Sequence, residues 1–120
     1  MQYMLLIYTN EADYEARGAD ANADILKEYL KLNADLKERG SWKLGERLES
    51  VSTATTVRVR DGKVLKTDGP FAETREQLGG FYLVEAKNHD EAVAIAARIP
   101  GARFGSIEVR PVMQLNRPAT

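Results

Sequence analysis

Apolar residues along the chain fall into runs whose spacing switches between two and about 3.6, and each switch marks an element. Residues 3–8 (Tyr3, Met4, Leu5, Leu6, Ile7, Tyr8) are apolar on both alternating sets and predict a buried first strand. Over residues 22–39 the period lengthens. Ile25, Tyr29, Leu32 and Leu36 recur at intervals of four, three and four, which is one helical stripe, and Leu26 and Leu30 widen it. Lys27, Glu28, Lys31, Asp35 and Glu38 take the water side, and Gly40 supplies a left-handed stop after a basic last turn. The polar stretch 9–19, with Gly18, and the tail 116–120 read as mobile connections without a stripe of their own.

Residues 57–66 alternate on either side of Asp61-Gly62, a pair that tolerates positive φ, and so predict a hairpin with a type I′ turn. Residues 81–86 form another strand after Gly79-Gly80. A second helix follows Asn88, a capping residue with Glu91 three positions on as its reciprocal partner. Ala92, Ile95, Ala96 and Ile99 form its inner face, and Pro100-Gly101 stops it. A last strand covers about 106–113. The order strand, helix, hairpin, strand, helix, strand predicts an α+β, ferredoxin-like split-βαβ sandwich with both helices on one face of the sheet.

The other face bears on assembly. In 81–86 the sets Phe81, Leu83, Glu85 and Tyr82, Val84, Ala86 are both mainly apolar, as are the two sets of the first strand. A half-solvated antiparallel sheet alternates with polar residues instead. A cover is needed, and the expected one is a second copy packed sheet on sheet. A tail or loop folded across the face is the alternative.

Length and charge narrow the classes. The chain has 120 residues, 17 Lys+Arg, 18 Asp+Glu, one His and no Cys, which suits a single domain over 1–120. A net charge of −1 gives no electrostatic reason to expect nucleic acid or an anionic membrane as a partner. The absence of Cys excludes disulfides and thiolate chemistry and fits a cytoplasmic setting, and a lone His excludes multi-histidine metal sites. No stretch of ~18 apolar residues predicts a membrane span, and the first strand lacks the basic start of a secretory signal. No cofactor motif is present: Gly79-Gly80 precedes a strand, not the helix that a phosphate loop needs.

Residues 68–86, beginning Asp68-Gly69-Pro70-Phe71 and running through Gly79-Gly80-Phe81-Tyr82, resemble the signature of YCII-related proteins that carry the DGPF motif. Residues 3–8, Gly45-Glu46-Arg47-Leu48 and the hairpin over 55–69 are similar to the same family, so the resemblance spans nearly the whole chain. It implies a dimeric α+β barrel of ferredoxin-like subunits. Some relatives resemble enzymes of small ring-cleavage products, and many DGPF proteins are associated with extracytoplasmic-function sigma factors. The resemblance also pairs the motif Asp with a His after the first strand. No His occurs in 9–39, so only Asp68 carries over.

Asp68 is the candidate catalytic residue. Pro70 has no N–H, so the Asp68 carboxylate must bond to Phe71 or beyond, or point elsewhere. A short helix starting at Pro70 would set it at a positive dipole end and favour its ionised form. Its other reading is a cap that fixes the turn. Arg47, Glu73 and Arg75 are candidate ligand-binding residues, with solvated charges and surface ion pairs as their plain reading. His89 reads as part of a helix start rather than a base, Tyr8 and Tyr82 as core or interface residues, and Trp42 as packing after the first helix. Arg58, Arg60, Lys63 and Lys66 make a basic ribbon without aromatics to stack bases. The expected function is a small-ligand-binding or regulatory module tied to a sigma-factor pathway. The alternative is a cofactor-independent enzyme (lyase, isomerase or dehalogenase-like) on a small polar or cyclic substrate, using Asp68.

Overall fold

In the computed structural model, which describes residues 1–115, β1 spans Gln2–Thr9. The tail over 116–120 lies outside the described residues. Tyr3, Leu5 and Ile7 of β1 are buried, and Met4, Leu6 and Tyr8 are half-buried on the opposite face. Two helices follow, α1 (Glu11–Arg17) and α2 (Ala19–Glu38). The stretch expected to be a mobile connection therefore contains α1. Asn10 caps it by accepting the Asp13 N–H at 3.1 Å, and none of its side chains is buried, so it leaves no apolar stripe to read. At the other end of α2, Gly40 has φ +75, its N–H bonds to the Lys37 carbonyl at 3.1 Å, and the Ser41 N–H bonds to the Leu36 carbonyl at 2.9 Å. This is the Schellman stop that the glycine predicts.

The remaining elements are β2 (Trp42–Arg47), β3 (Thr55–Arg60), β4 (Lys63–Asp68), β5 (Gln77–Glu85), α3 (His89–Arg98) and β6 (Ser106–Pro111), with short 3-10 turns at Val51–Thr53 and Pro100–Arg103. The main sheet is antiparallel in the order β2-β5-β1-β6, so each strand–helix–strand unit is split by a strand of the other. The fold is α+β and ferredoxin-like. One strand was absent from the expected order. β2 turns only Trp42 and Gly45 inward, at an edge rich in charge, so it shows no alternation. With β2 in place, the hairpin does not complete the main sheet. β3 and β4 form a separate two-stranded ribbon whose turn carries φ +51 at Asp61 and +74 at Gly62, as type I′ requires.

The core lies between the sheet and the helices: Leu5 and Val84 from the sheet meet Leu36 of α2, Ile95 of α3 and Ile99, all fully buried. Leu26 and Leu30, expected to widen the buried stripe, are 51% and 58% exposed. On the helix-free face Met4 pairs with Leu83 and Leu6 with Phe81, and Leu44 of β2 stands beside Leu83. Among the described residues no helix is long and apolar enough to cross a membrane.

Candidate functional site

The exposure of Leu26 and Leu30 has a geometric cause. Leu32 and Leu36 hold the C-terminal half of α2 on the sheet, while its N-terminal half stands off β2 and β5. The gap is a cleft of about 450 Å³, within the size range of small-molecule sites. Two glycines shape its floor. A Cβ on Gly45 would lie 2.6 Å from the Trp42 ring, and one on Gly80 would lie 2.9 Å from the Glu46 carbonyl oxygen. Either would push the wall inward.

The walls are aromatic with polar tips. Trp42 meets Tyr82 edge to face, with ring centroids 5.4 Å apart, and Lys37 Nζ lies 4.9 Å over the Trp42 ring. The Tyr82 hydroxyl donates to Asn33 Oδ1. The Tyr29 hydroxyl accepts from the Gly101 N–H at 3.1 Å, which leaves its own proton for a group in the cleft. Burial, and secondarily Tyr29, raises the Tyr82 pKa. Burial also raises that of Tyr29, against the Gly101 hydrogen bond and the positive charges of Arg47, Arg103 and Arg17. Both phenols are therefore neutral donors at ordinary pH.

The charged residues lining the cleft are Arg17 and Arg47 with Glu11, Glu15 and Glu46. Arg47 stacks over Tyr14 at 4.8 Å, and Arg17 over Phe104 at 4.3 Å while donating to Asn22 Oδ1 at 3.0 Å. Among the described residues neither arginine makes an ion pair, whereas Arg103 is paired with Glu28 at 2.8 Å. Glu11, a cleft carboxylate, is already engaged: it accepts from Ser50 Oγ at 2.8 Å and the Val51 N–H at 3.0 Å. Two cations without carboxylate partners beside an aromatic wall suit a small planar anion. Among the described residues no group of three His, Asp or Glu side chains could hold a metal ion.

Of the residues singled out from sequence, Arg47 lines this cleft and Asp68, Glu73 and Arg75 do not. Asp68 is exposed at the end of β4. No helix begins at Pro70, and the carboxylate makes no hydrogen bond among the described residues, so neither the dipole placement nor the cap is realised. Glu73 and Arg75 are exposed in the segment between β4 and β5, where the Arg75 carbonyl accepts from Asn10 Nδ2 at 2.9 Å. Among the described residues no hydrogen bond or ion pair joins either side chain to Asp68. His89 sits in the first turn of α3, edge-on to Tyr3 at 6.1 Å, and the Asn88 side chain caps the helix by accepting the Glu91 N–H at 2.9 Å. The Glu91 carboxylate returns to the Lys87 N–H at 3.3 Å, one residue before the expected partner. Sequence reasoning missed Tyr14, Arg17, Tyr29 and Asn33. The available signal was Tyr29 and Asn33, a phenol and an amide four residues apart on one helix face.

The YCII-related domain matches residues 1–116. An uncharacterised protein of Rhizobium meliloti (strain 1021) is 34% identical over 114 residues, covering 93% of this chain and 92% of that protein. Among solved structures, 5-chloro-2-hydroxyhydroquinone dehydrochlorinase from Burkholderia phenoliruptrix AC1100, in complex with 2,5-dihydroxybenzoquinone, is similar with a TM-score of 0.55. It is 16% identical and covers 94% of each chain, a likeness of fold.

Proposed function

The chain belongs to the YCII-related family, and we propose that it is a DGPF-type, cytoplasmic, homodimeric member that binds a small aromatic or cyclic anion under the N-terminal half of α2. One observation carries this reading: Arg47 and Arg17, both without carboxylate partners among the described residues, stand at a cleft walled by Trp42, Tyr82 and Tyr29. The arginines attract the charge, the rings stack on a flat ligand, and the Tyr29 proton can be donated to it. The homodimer is supported by the apolar helix-free face. A regulatory role beside a sigma factor rests on the family resemblance alone.

A second reading draws on the dehydrochlorinase, whose fold this chain shares. It is a cofactor-independent enzyme of lyase, isomerase or dehalogenase type acting through Asp68. In this chain Asp68 would act from outside the cleft, which favours the binding reading.

Trp42, the single tryptophan, lines the cleft and reports on its occupancy. Titration with a series of hydroxylated benzoates should quench its fluorescence saturably, and Arg47→Ala should weaken the effect about tenfold, near the ~1.4 kcal/mol of a charge-assisted hydrogen bond. If no member of the series gives a saturable change up to about 10 mM, the binding reading fails.

A further inference from the structure

Tyr82 and Asn33 meet on the cleft wall from two different elements, β5 and α2. Tyr82 is 5% exposed, and Trp42, edge to face against it at 5.4 Å, helps to fix its ring. Among the described residues its hydroxyl has one hydrogen-bond partner, the Asn33 side-chain amide, and it donates to Oδ1. With the amide turned over, NH2 would face the phenol oxygen and the phenol proton would lose its acceptor, at the cost of an unmade bond. Tyr82 thereby sets which way Asn33 faces. The amide oxygen is held, and Nδ2, bonded to nothing else among the described residues, keeps both hydrogens.

Tyr29 ends in the same condition. It stands one helical turn before Asn33 on the same face of α2, and both line the cleft. Its oxygen accepts the Gly101 N–H at 3.1 Å, and its proton is uncommitted. Of the carboxylates that line the cleft, Glu11 is held by Ser50 and Val51, and Glu15 and Glu46 are exposed. A phenol O–H and an amide NH2 one turn apart, each with its oxygen already accepting, present donors to the cleft. Such a pair matches the two lone pairs of a carbonyl oxygen.

We propose that Tyr29 and Asn33 are specificity-determining residues, a paired donor that selects cyclic anions carrying a carbonyl oxygen, with Tyr82 as the positioning residue that aims Asn33. This rests on the anion-binding reading above and adds the uncharged half of the ligand to it. Arg47 and Arg17 take the charge, and the pair takes the neutral oxygen.

Two probes of one shape separate this from an apolar wall. An acetylbenzoate and the isopropenylbenzoate of the same substitution differ in C=O against C=CH2 and share charge and outline. Over the ortho, meta and para isomers, titration calorimetry should find at least one acetyl compound bound about tenfold tighter than its isopropenyl partner. A wall without donors gives the opposite order, since the isopropenyl group is the more apolar. Asn33→Asp, which keeps the Tyr82 contact and replaces NH2 by an acceptor, should bring the ratio to parity or below. Both probes carry the same charge, so the added carboxylate cancels in the ratio. Tyr29→Phe should lower the ratio, and Tyr82→Phe, which keeps the ring and frees the amide to turn, should lower it as well. A wild-type protein that binds benzoate but prefers no acetyl isomer overturns the donor pair and leaves the anion reading standing, as does a full preference kept in Asn33→Asp. A full preference kept in Tyr82→Phe overturns the positioning role. No saturable binding of benzoate or of any probe up to about 10 mM overturns the anion reading and the pair with it.

Discussion

The Gly101 N–H donates to the Tyr29 hydroxyl at 3.1 Å, and with the Arg103–Glu28 ion pair it ties α2 to the turn Pro100–Arg103 beside the cleft. A Cβ on Gly101 would lie 2.8 Å from that hydroxyl oxygen and 3.0 Å from Ile7 Cγ2. Gly101→Ala should therefore break the contact and destabilise the chain by about 1–3 kcal/mol, read from the denaturant midpoint. Tyr29→Phe, which removes the hydroxyl and leaves the Gly101 N–H without this acceptor, should cost about 1–2 kcal/mol. An alanine variant as stable as wild type would show that the turn yields without cost.

Burial holds the Tyr29 and Tyr82 protons past the ordinary tyrosine value of 10.0. Above pH 10 the unfolded chain has lost these protons while the folded chain keeps them, so the unfolded state binds fewer protons. Their contribution is complete below pH 10 and declines as pH rises above it. Urea midpoints should accordingly be flat through neutrality and fall on the alkaline side, with a shallower fall in Tyr29→Phe/Tyr82→Phe. Equal slopes in the two proteins would contradict this.

Asn10 links two parts of the structure. Its side chain caps α1 through the Asp13 N–H and donates to the Arg75 carbonyl. Asn10→Ala should cost about 1 kcal/mol and also weaken ligand-induced Trp42 quenching, because α1 places Tyr14 and Arg17 at the cleft. Asn88→Ala should cost a similar amount at α3 and leave the quenching alone. If the two variants behave identically toward ligand, α1 has no part in positioning the site.

Asp68→Asn separates three roles. The exposed, unbonded carboxylate should make the change neutral to within about 0.5 kcal/mol in stability. A loss of about 1–2 kcal/mol would restore the capping role. Loss of turnover on a cyclic substrate at unchanged stability would favour the enzyme reading.

The parts of the fold legible in sequence were those with a local cause. Asp61-Gly62 specifies its own turn, Asn88 caps its own helix, and Gly40 ends α2 through bonds to carbonyls within one turn. β2 was illegible because its partner lies far along the chain: Trp42 pairs with Val84, 42 positions on, and nothing in Lys43, Leu44 or Glu46 marks an edge strand. α1 was hidden by the lack of any buried side chain. The cleft was hidden for a different reason. Leu26 and Leu30 fit the helical stripe, and only the departure of α2 from the sheet shows that this part of the stripe faces a gap. Arg47 was found by its neighbours in sequence; Asp68 was favoured by its motif, but the ribbon carries it away from the cleft.

Leu32 and Leu36 bury α2 in the core at one end only, and polar contacts of Asn22, Glu28 and Tyr29 hold the rest, which makes the helix a beam fixed firmly at its base and lightly beyond it. Amide protons should exchange with solvent slowly beyond Leu32 and progressively faster toward Ala19, a gradient within one unbroken helix. A molecule wedged under the free end would act as a prop, and the fast-exchanging residues would be the ones to slow.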